Sequence, residues 1–393
     1  MKVKVFAALS LKTESNIKRN FMLFAALLLI VTGCGKRSQV GSVSSPGGLP
    51  NAEFGIKYAG VNFNINYLEN GVKLVTDSEG NKLLLVPKGV TVPQGYDSAV
   101  LVETPIGRAM YTVTTFVGFL GALEDDALYD SVAVVCTPEE DWTTPQVLAR
   151  FRSCITRYVE HGYTTVGNIE DIVGTRPEFV FTGGDDSDMR LRSMLDEFGV
   201  KHATLQGREE GDAANLEWIK FFAAFFNLDE EAHRIFEAKH AYLNELYQRT
   251  ANIRDKPAVA YGLIWNGVVY TQSGTSTLAR QIENAGGVYT LKELGGSGSV
   301  LLTIEEFFNR CRNADIVLYG SSPRYCPDKA YLLETEPLMA EFNAFKNDRI
   351  YIFDKGYYMN SARVVEKFED MVFMLHPELL PGHELTMYQK LPD

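Results

Sequence analysis

The chain is short of positive charge, of cysteine and of long apolar segments. Its 38 lysines and arginines are outnumbered by 50 aspartates and glutamates, which gives a formal net charge of −12. So acidic a chain is poorly suited to neutralising phosphates, and we expect no nucleic-acid partner. Five cysteines in 393 residues are too few for a disulfide-built scaffold. The one notable apolar run, 21–31, is too short to cross a bilayer as a helix, so we expect no integral membrane domain.

Common catalytic and nucleotide-binding motifs are missing as well. The sequence has no G-x-G-x-x-G after a strand, no G-x-x-x-x-G-K-[ST] and no G-x-S-x-G. The glycine-rich stretch 295–299 follows no predicted strand, and we interpret it as a loop rather than a phosphate cradle. The six histidines form no H-x-x-x-H pair, and no nucleophile–base constellation emerges. We therefore expect no enzyme activity, no metal site and no resident cofactor.

The N-terminus carries the features of an export signal. The basic pair Lys18-Arg19 precedes the apolar run, and Val31-Thr32-Gly33-Cys34 follows it. The last four residues resemble a lipobox, in which the cysteine is lipidated and becomes the first residue of the mature chain. We predict a signal peptide over 1–33, a lipidated Cys34 and a polar tether rich in glycine, serine and proline over 34–51.

Lipidation leaves four cysteines in the secreted part. In an oxidising compartment they could form two disulfides, and local pairing as Cys136–Cys154 and Cys311–Cys326 is one of three connectivities. Buried free thiols are the equal alternative. No C-x-x-C spacing suggests zinc.

The rest of the chain has a globular composition, with 46% apolar and 22% charged residues over the whole sequence, and its length predicts two domains. Residues 56–103 alternate apolar and polar positions between turn signals such as Asn70-Gly71, which predicts β-hairpins. Beyond them short apolar runs alternate with helical patterns, as in a doubly wound α/β layer. We predict strands at 108–112, 131–135, 164–166, 178–182 and 202–205, and helices at 113–123, 145–161, 169–174 and 187–198.

A long helical stretch, 212–251, separates two such series and is broken only near Asn227-Leu228-Asp229, where Asp229 is a good N-cap. The second series predicts strands at 258–263, 268–271, 315–319 and 350–353, helices at 276–285, 303–312, 335–345 and 361–375, and an irregular tail over 377–393. The predicted domains are the N-terminal extension with the first α/β lobe over 52–228, an interlobe helix over 229–252 and the second α/β lobe over 253–393.

Six short motifs follow one another along residues 105–385. They are Leu120-Gly121-Ala122-Leu123, 168–172 with 176–181, 270–274 with 285–287, 303–307 with 313–317, Arg349-Ile350-Tyr351 and Leu375-His376-Pro377-Glu378. In kind and order these motifs resemble those of the solute-binding lipoproteins of ABC importers for ferric siderophores, haem and vitamin B12. The extension over 52–103 departs from the shortest members of that family, and its role stays open.

The resemblance implies an α/β fold of two Rossmann-like lobes joined by a long, rigid α-helix, with an N-terminal β-hairpin extension. It implies a monomer, lipid-anchored on the periplasmic side of the cell envelope, that captures a small metal chelate between the lobes. The partner would be an ABC permease dimer driven by a cytoplasmic ATPase, and any metal would belong to the ligand. In this family one glutamate on each lobe pairs with permease arginines, and the matching positions are Glu170 and Glu305.

Ligand-facing candidates follow from the predicted strand ends, because loops at the carboxyl ends of strands line the cleft of such folds. Aromatic faces suit a flat ligand, and arginines suit carboxylate or catecholate oxygens. The candidates are Thr112, Trp142, Gly183 and Gly184 in the first lobe, and Trp265, Tyr270, Gln272, Ser273, Arg324, Tyr357, Tyr358 and Arg363 in the second.

Two alternatives from other classes stay open. A secreted metal-dependent enzyme on the same scaffold, such as a chelatase, would need histidines or carboxylates that converge in the cleft. A non-binding interaction scaffold would have a cleft filled by its own side chains. The sequence decides neither which chelate is bound nor which permease is the partner, nor whether the anchoring membrane is the inner or the outer one.

Replacement of Cys34 by serine should release the protein into the soluble fraction, because only Cys34 follows small residues after the apolar run. Fractionation of host cells with a high-salt wash measures this. A Cys34→Ser protein that still sediments with membranes would rule out the lipid anchor.

Overall fold

The computed structural model describes residues 54–393, except Tyr163, 207–210 and Ser297. The predicted signal peptide, Cys34 and the tether lie outside the described residues. Within the described part, no helix combines the length and hydropathy needed to cross a membrane.

The N-terminal extension forms a four-stranded sheet in the order β1–β2–β3–β4. Strands β1 to β3 form the predicted antiparallel hairpins, but β4 runs parallel to β3. A hairpin was therefore the wrong prediction for this last pair, because the connection after β3 is long enough to carry the chain back to its starting edge. The strands are β1 (Asn64–Tyr67), β2 (Lys73–Thr76), β3 (Lys82–Pro87) and β4 (Val100–Thr104).

The first lobe is a five-stranded, fully parallel sheet in the order β7–β6–β5–β8–β9. The predicted helix over 145–161 ends at Arg152, and the strand expected at 164–166 is instead β7. The chain turns there because Cys154 adopts a positive φ of 55°. The strands are β5 (Ala109–Tyr111), β6 (Val132–Val135), β7 (Arg157–Tyr158), β8 (Phe179–Thr182) and β9 (His202–Thr204), and the helices are α1 (Thr114–Gly121), α2 (Pro145–Arg152), α3 (Ile169–Gly174) and α4 (Asp186–Glu197).

Two helices lead from the first lobe to the second, α5 (Asp212–Ala224) and α6 (Asp229–Thr250). Asn227, with a φ of 58°, breaks the helical run between them, as the sequence predicts. The 22 residues of α6 span about 33 Å. Its N-terminal half packs Ala232, Ile235 and Phe236 into the core of the first lobe, and its C-terminal half packs Leu243 and Leu246 into that of the second.

The second lobe has a mixed sheet in the order β13–β11–β10–β14–β15–β16, and β12 pairs with β10. The helix predicted over 335–345 is wrong: Pro337 disfavours helical backbone at Glu336, and two short helices flank a 3-10 turn. The tail predicted as irregular supplies β16. The strands are β10 (Ala258–Trp265), β11 (Val268–Gln272), β12 (Val288–Tyr289), β13 (Ser299–Thr303), β14 (Ile316–Tyr319), β15 (Ile350–Phe353) and β16 (Tyr388–Lys390), and the helices are α7 (Thr277–Asn284), α8 (Ile304–Cys311), α9 (Lys329–Thr335), α10 (Asn343–Lys346) and α11 (Val364–Leu375).

Of the two alternatives left open for the cysteines, the structure has the free thiols, and neither Cys136–Cys154 nor Cys311–Cys326 is bonded. Cys311 is buried with its sulfur 3.3 Å from Thr290 Oγ1. Burial raises the pKa of Cys311 to about 11 and that of Cys326 to about 12. Thiols with such pKa values stay protonated at neutral pH and are poor nucleophiles.

A buried carboxylate ties the start of the described chain to the first lobe. Glu217 on α5 accepts hydrogen bonds from the backbone N–H groups of Lys57, Tyr58 and Ala59, at 2.7–3.1 Å. The ammonium group of Lys220 donates to the same carboxylate at 3.0 Å, and both side chains are almost fully buried. The charge of Glu217 is therefore paired and hydrogen-bonded, as a buried charge requires.

Glu217→Ala should lower the free energy of unfolding by about 3–5 kcal/mol, because it leaves three N–H groups without their acceptor and removes the carboxylate that pairs with the buried Lys220. Chemical denaturation measures the loss. Glu237→Ala is the matched control: its exposed ion pair with Lys57, at 3.3 Å, should contribute under about 1 kcal/mol. Equal effects of the two substitutions would contradict the anchoring role of Glu217.

Candidate functional site

A cavity of about 450 Å³ lies between the two lobes. The carboxyl ends of β5, β8 and β9 open onto it from one side, and β10, β11 and β15 border it from the other. This is the edge at which α/β sheets present their ligand-binding loops. Trp218 on α5 and Gln281 on α7 also contribute to its walls.

Seven aromatic side chains line the cavity, and they come from both lobes. The ring of Tyr357 stacks on Phe353 with a centroid distance of 4.2 Å, and Tyr358 meets Phe353 edge-on at 5.7 Å. The hydroxyl groups of Tyr357 and Tyr388 are 3.2 Å apart, and burial raises the pKa of Tyr357 to about 12. These phenols are therefore neutral at physiological pH. The seven are Phe116, Phe119, Trp218, Tyr261, Phe353, Tyr357 and Tyr358.

The glycine pair after β8 keeps the first-lobe wall open. A Cβ at Gly183 would lie 2.5 Å from Asp188 Oδ2, and one at Gly184 would lie 2.2 Å from the side chain of Gln206. The N–H of Gly183 donates to Thr112 Oγ1 at 3.1 Å, so Thr112 holds this backbone in place from below. A side chain larger than hydrogen at either glycine would have to displace Asp188 or Gln206.

Two carboxylates lie next to this glycine pair, at the start of α4. Asp185 caps the helix by accepting the N–H of Asp188 at 2.8 Å. Asp188 is buried, with Oδ1 3.0 Å from His161 Nε2. Because His161 Nδ1 accepts the N–H of Gly167 at 3.0 Å, the ring proton is assigned to Nε2, and a neutral imidazole donates to Asp188. Burial and the charge of Asp188 raise the pKa of Asp185.

A lysine stands on the opposite wall. The Nζ atom of Lys367, on α11, lies 4.2 Å from the centroid of the Tyr357 ring. Burial lowers the pKa of Lys367 to about 7, although the carboxylates of Asp212 and Glu366 act in the opposite direction. Asp212 also accepts hydrogen bonds from Tyr247 on α6, at 2.7 Å, and from Gln281 on α7. A polar cluster around Asp212 thus connects the first lobe with the second.

Five of the twelve predicted ligand residues line the cavity, and these are Gly183, Gly184, Gln272, Tyr357 and Tyr358. Thr112 and Ser273 are buried beneath the walls. Trp142 belongs to the core of the first lobe, where its indole N–H donates to the carbonyl of Thr137 at 3.0 Å. Trp265 and Tyr270 pack on each other at 5.9 Å on the β10–β11 hairpin, away from the cavity lining.

Neither predicted arginine lines this cavity. Arg324 forms an ion pair with Asp141 of the first lobe. Arg363 lies 3.5 Å from Glu366 and lines a second interlobe cavity of about 340 Å³, on the other face of α1. Both arginines follow strands of the second lobe, but the carboxylates nearby determine where their guanidinium groups lie.

Sequence reasoning missed several residues of the site. Phe116 and Phe119 on α1, and Trp218 on α5, occupy ordinary apolar positions of helices, and such positions are usually buried in a core. Lys367 and Gln281 are polar residues of helices that resemble solvent-facing ones in sequence. A signal existed only for Asp185, which follows the glycine pair directly, and for Asp188, three residues further on.

The two glutamates matched to permease docking are exposed, each in the first turn of a helix. Asn168 Oδ1 caps α3 by accepting the N–H of Glu170 at 2.9 Å, and Thr303 Oγ1 caps α8 by accepting the N–H of Glu306 at 3.1 Å. Because Asn168 and Thr303 supply the caps, Glu170 and Glu305 are not needed as N-caps. One glutamate lies on each lobe.

Metal-ligating side chains do not converge in the described residues, where no group of three or more histidines, cysteines or carboxylates could hold an ion. The site has the chemistry of a binding pocket: its walls are apolar rings, a few polar groups and the backbone of the glycine pair after β8.

The family model described as "Periplasmic binding protein" matches residues 129–357, more than half of the chain. An uncharacterized lipoprotein of Methanocaldococcus jannaschii is 26% identical over 329 residues, which cover 81% of this chain and 78% of the relative. Another uncharacterized lipoprotein of that organism is 28% identical over 350 residues, which cover 82% of this chain and 83% of the relative.

Solved structures show the same fold at low identity. The TroA-like periplasmic binding protein FepB from Veillonella parvula matches with a TM-score of 0.57 and 16% identity, over 81% of this chain and 99% of its own. The periplasmic heme-binding protein RhuT from Roseiflexus sp. RS-1 matches with a TM-score of 0.53 and 17% identity, over 68% of this chain and 97% of its own. The periplasmic vitamin B12 binding protein BtuF of Vibrio cholerae matches with a TM-score of 0.50 and 13% identity, over 70% of this chain and 99% of its own. These structures share the fold, and the family model, which matches more than half of the chain, places it in the periplasmic binding protein family, whose members are binding proteins and not enzymes.

Proposed function

We propose that this protein is an extracytoplasmic substrate-binding lipoprotein that captures a metal chelate between its lobes and delivers it to an ABC permease. The chelate is a ferric siderophore, haem or cobalamin. The observation that carries the proposal is the aromatic cavity between the lobes, which is bordered by strand ends of both. Aromatic walls with few polar groups suit a bulky, partly apolar ligand.

The anchoring and the domain division belong to the same proposal. Relatives that share about four fifths of the chain are lipoproteins, which supports lipidation at Cys34 and a place outside the cytoplasm. The division into 52–228, 229–252 and 253–393 agrees with two cores bridged by α6. The segment 355–364 is an exception to this division: it belongs to the second lobe in sequence, but its residues Met359, Ala362 and Val364 pack into the core of the first lobe.

Binding of a chelate should quench the fluorescence of Trp218, which lines the cavity. Tyr357→Ala should weaken binding about thirtyfold, since truncating an aromatic anchor in a desolvated pocket typically costs on the order of 2 kcal/mol or more. Trp265→Ala is the matched control: it removes a larger ring outside the cavity lining and should leave affinity within error. Native mass spectrometry and an absorption spectrum of protein purified from its own host identify the ligand.

A failure of binding would favour a different function. If no ferric siderophore, haem or cobalamin binds more tightly than about 10 μM, or roughly −7 kcal/mol, the protein is better described as an interaction scaffold. If Trp265→Ala weakens binding and Tyr357→Ala does not, the ligand lies on the β10–β11 hairpin and the interlobe cavity is not its site.

Docking on the permease is the second part of the proposal. Glu170 and Glu305 are exposed and lie on different lobes, and neither serves as the N-cap of its helix, because Asn168 and Thr303 do so. Two carboxylates in equivalent places are what a two-fold permease with an arginine patch on each subunit requires. The Asp171 and Glu306 side chains next to them provide matched controls on the same two helices.

Glu170→Ala and Glu305→Ala should each slow uptake and leave ligand affinity within error, and the double substitution should nearly abolish uptake. Radiolabelled chelate uptake by cells, together with equilibrium binding by the purified proteins, separates the two effects. Asp171→Ala and Glu306→Ala should transport at the wild-type rate. Loss of ligand affinity in either glutamate variant would overturn the docking assignment.

A further inference from the structure

The charges around the interlobe cavity are unevenly distributed. Asp185 and Asp188 line its first-lobe wall, and within the described residues Lys367 is the only lysine, arginine or histidine of the lining. The described lining therefore carries more negative than positive groups.

The negative charge of Asp188 is not cancelled by its partner. His161 donates from Nε2 while Nδ1 accepts a backbone N–H, so this hydrogen bond joins a neutral ring to a carboxylate. Asp185 lies close enough to Asp188 for the two charges to oppose each other, which contributes to the raised pKa of Asp185. A second anion brought to this wall would meet the same repulsion.

Three described arginines near the cavity are engaged with groups of the protein. Arg192 donates to the carbonyl of Gly183 and to Glu79, both at 2.7 Å. Arg324 pairs with Asp141, and Arg363 lies beside Glu366. Guanidinium groups commonly bind carboxylate or catecholate oxygens through two hydrogen bonds. In this protein these three guanidinium groups contact protein groups instead of the cavity.

Lys367, the cation among the described lining residues, offers little compensation. Lys367 lies over the face of the Tyr357 ring and is buried enough that its pKa is about 7, so its charge is only partial at neutral pH. The face of the Tyr357 ring stabilises the cation that lies over it. A lysine that is only partly charged does not offset the two aspartates.

We propose that the interlobe cavity selects metal chelates of zero or positive net charge and rejects polyanionic ones. This inference rests on the proposed function and names the substrate class of the same site. It excludes arginine-bound catecholate chelates from the ligands of this protein and retains neutral or cationic ones.

The test compares chelates that share one metal and differ in charge. The mature chain is titrated with a cationic ferric trihydroxamate, a neutral ferric trihydroxamate and a polyanionic ferric triscatecholate, with cobalamin and haem as a second comparison. The neutral or cationic member should bind about a hundredfold more tightly than the polyanionic one, because juxtaposed like charges oppose binding strongly. Added salt should narrow the difference.

A matched pair of variants assigns the effect to the cavity wall. Asp185→Asn keeps a good N-cap and removes one charge from the lining, so it should raise the affinity for the polyanionic chelate about tenfold. Asp186→Asn removes a charge from the same helical turn at an exposed position and should leave the ratio of affinities unchanged.

Equal or tighter binding of the polyanionic triscatecholate, or of haem over cobalamin, would overturn the charge selection and leave the proposed function intact. Equal effects of the two aspartate variants would overturn it as well. If none of the five probes binds, the proposed function and this inference both fail.

Discussion

The two lobes are locked together by a segment of the second lobe that is buried in the first. The carbonyl oxygen of Met359 lies so close to α1 that a Cβ at Gly118 would be 2.1 Å from it. Thr143 donates from its N–H and its hydroxyl to Met359 Sδ, each at 3.4 Å. A backbone carbonyl cannot swing aside as a side chain can, so α1 and this segment fix each other's position. The same two elements present four of the cavity's aromatic rings, Phe116, Phe119, Tyr357 and Tyr358.

Helix α6 and the polar cluster around Asp212 also connect the two lobes, at other points of the interface. One end of α6 belongs to each core, and Asp212 receives hydrogen bonds from α6 and α7. Two lobes joined by a continuous helix, a buried segment and a polar cluster have no single hinge that could absorb a large rotation. We therefore expect the cavity to be largely preformed, so that a ligand would spend little binding energy on closing it.

The candidate site was only partly predictable, and the reason differs from residue to residue. Gly183, Gly184, Tyr357 and Tyr358 were predictable because strand ends and an aromatic doublet are local patterns. Trp142 and Trp265 also follow strands, but one is packed in a core and the other against its hairpin neighbour. Arg324 pairs with Asp141, which is remote in sequence and belongs to the other lobe, so this partner could not be read from a local pattern. Arg363 lies beside Glu366, only three residues further along the chain, and that local pair was overlooked in favour of the strand-end rule.

The sequence alone predicted the two α/β series, the long helix between them and the family resemblance, because these depend on periodicity, caps and short motifs. Many boundaries followed from the same local rules, but the helix predicted to 161 ends at Arg152, before the positive φ of Cys154, and Pro337 interrupts the stretch 335–345. Strands β12, β13 and β16 were not predicted. Only the tertiary structure decided which helical side chains face the cavity, which thiols stay apart and where the charges are neutralised. Those properties depend on distances between residues far apart in the chain, and no local pattern encodes such distances.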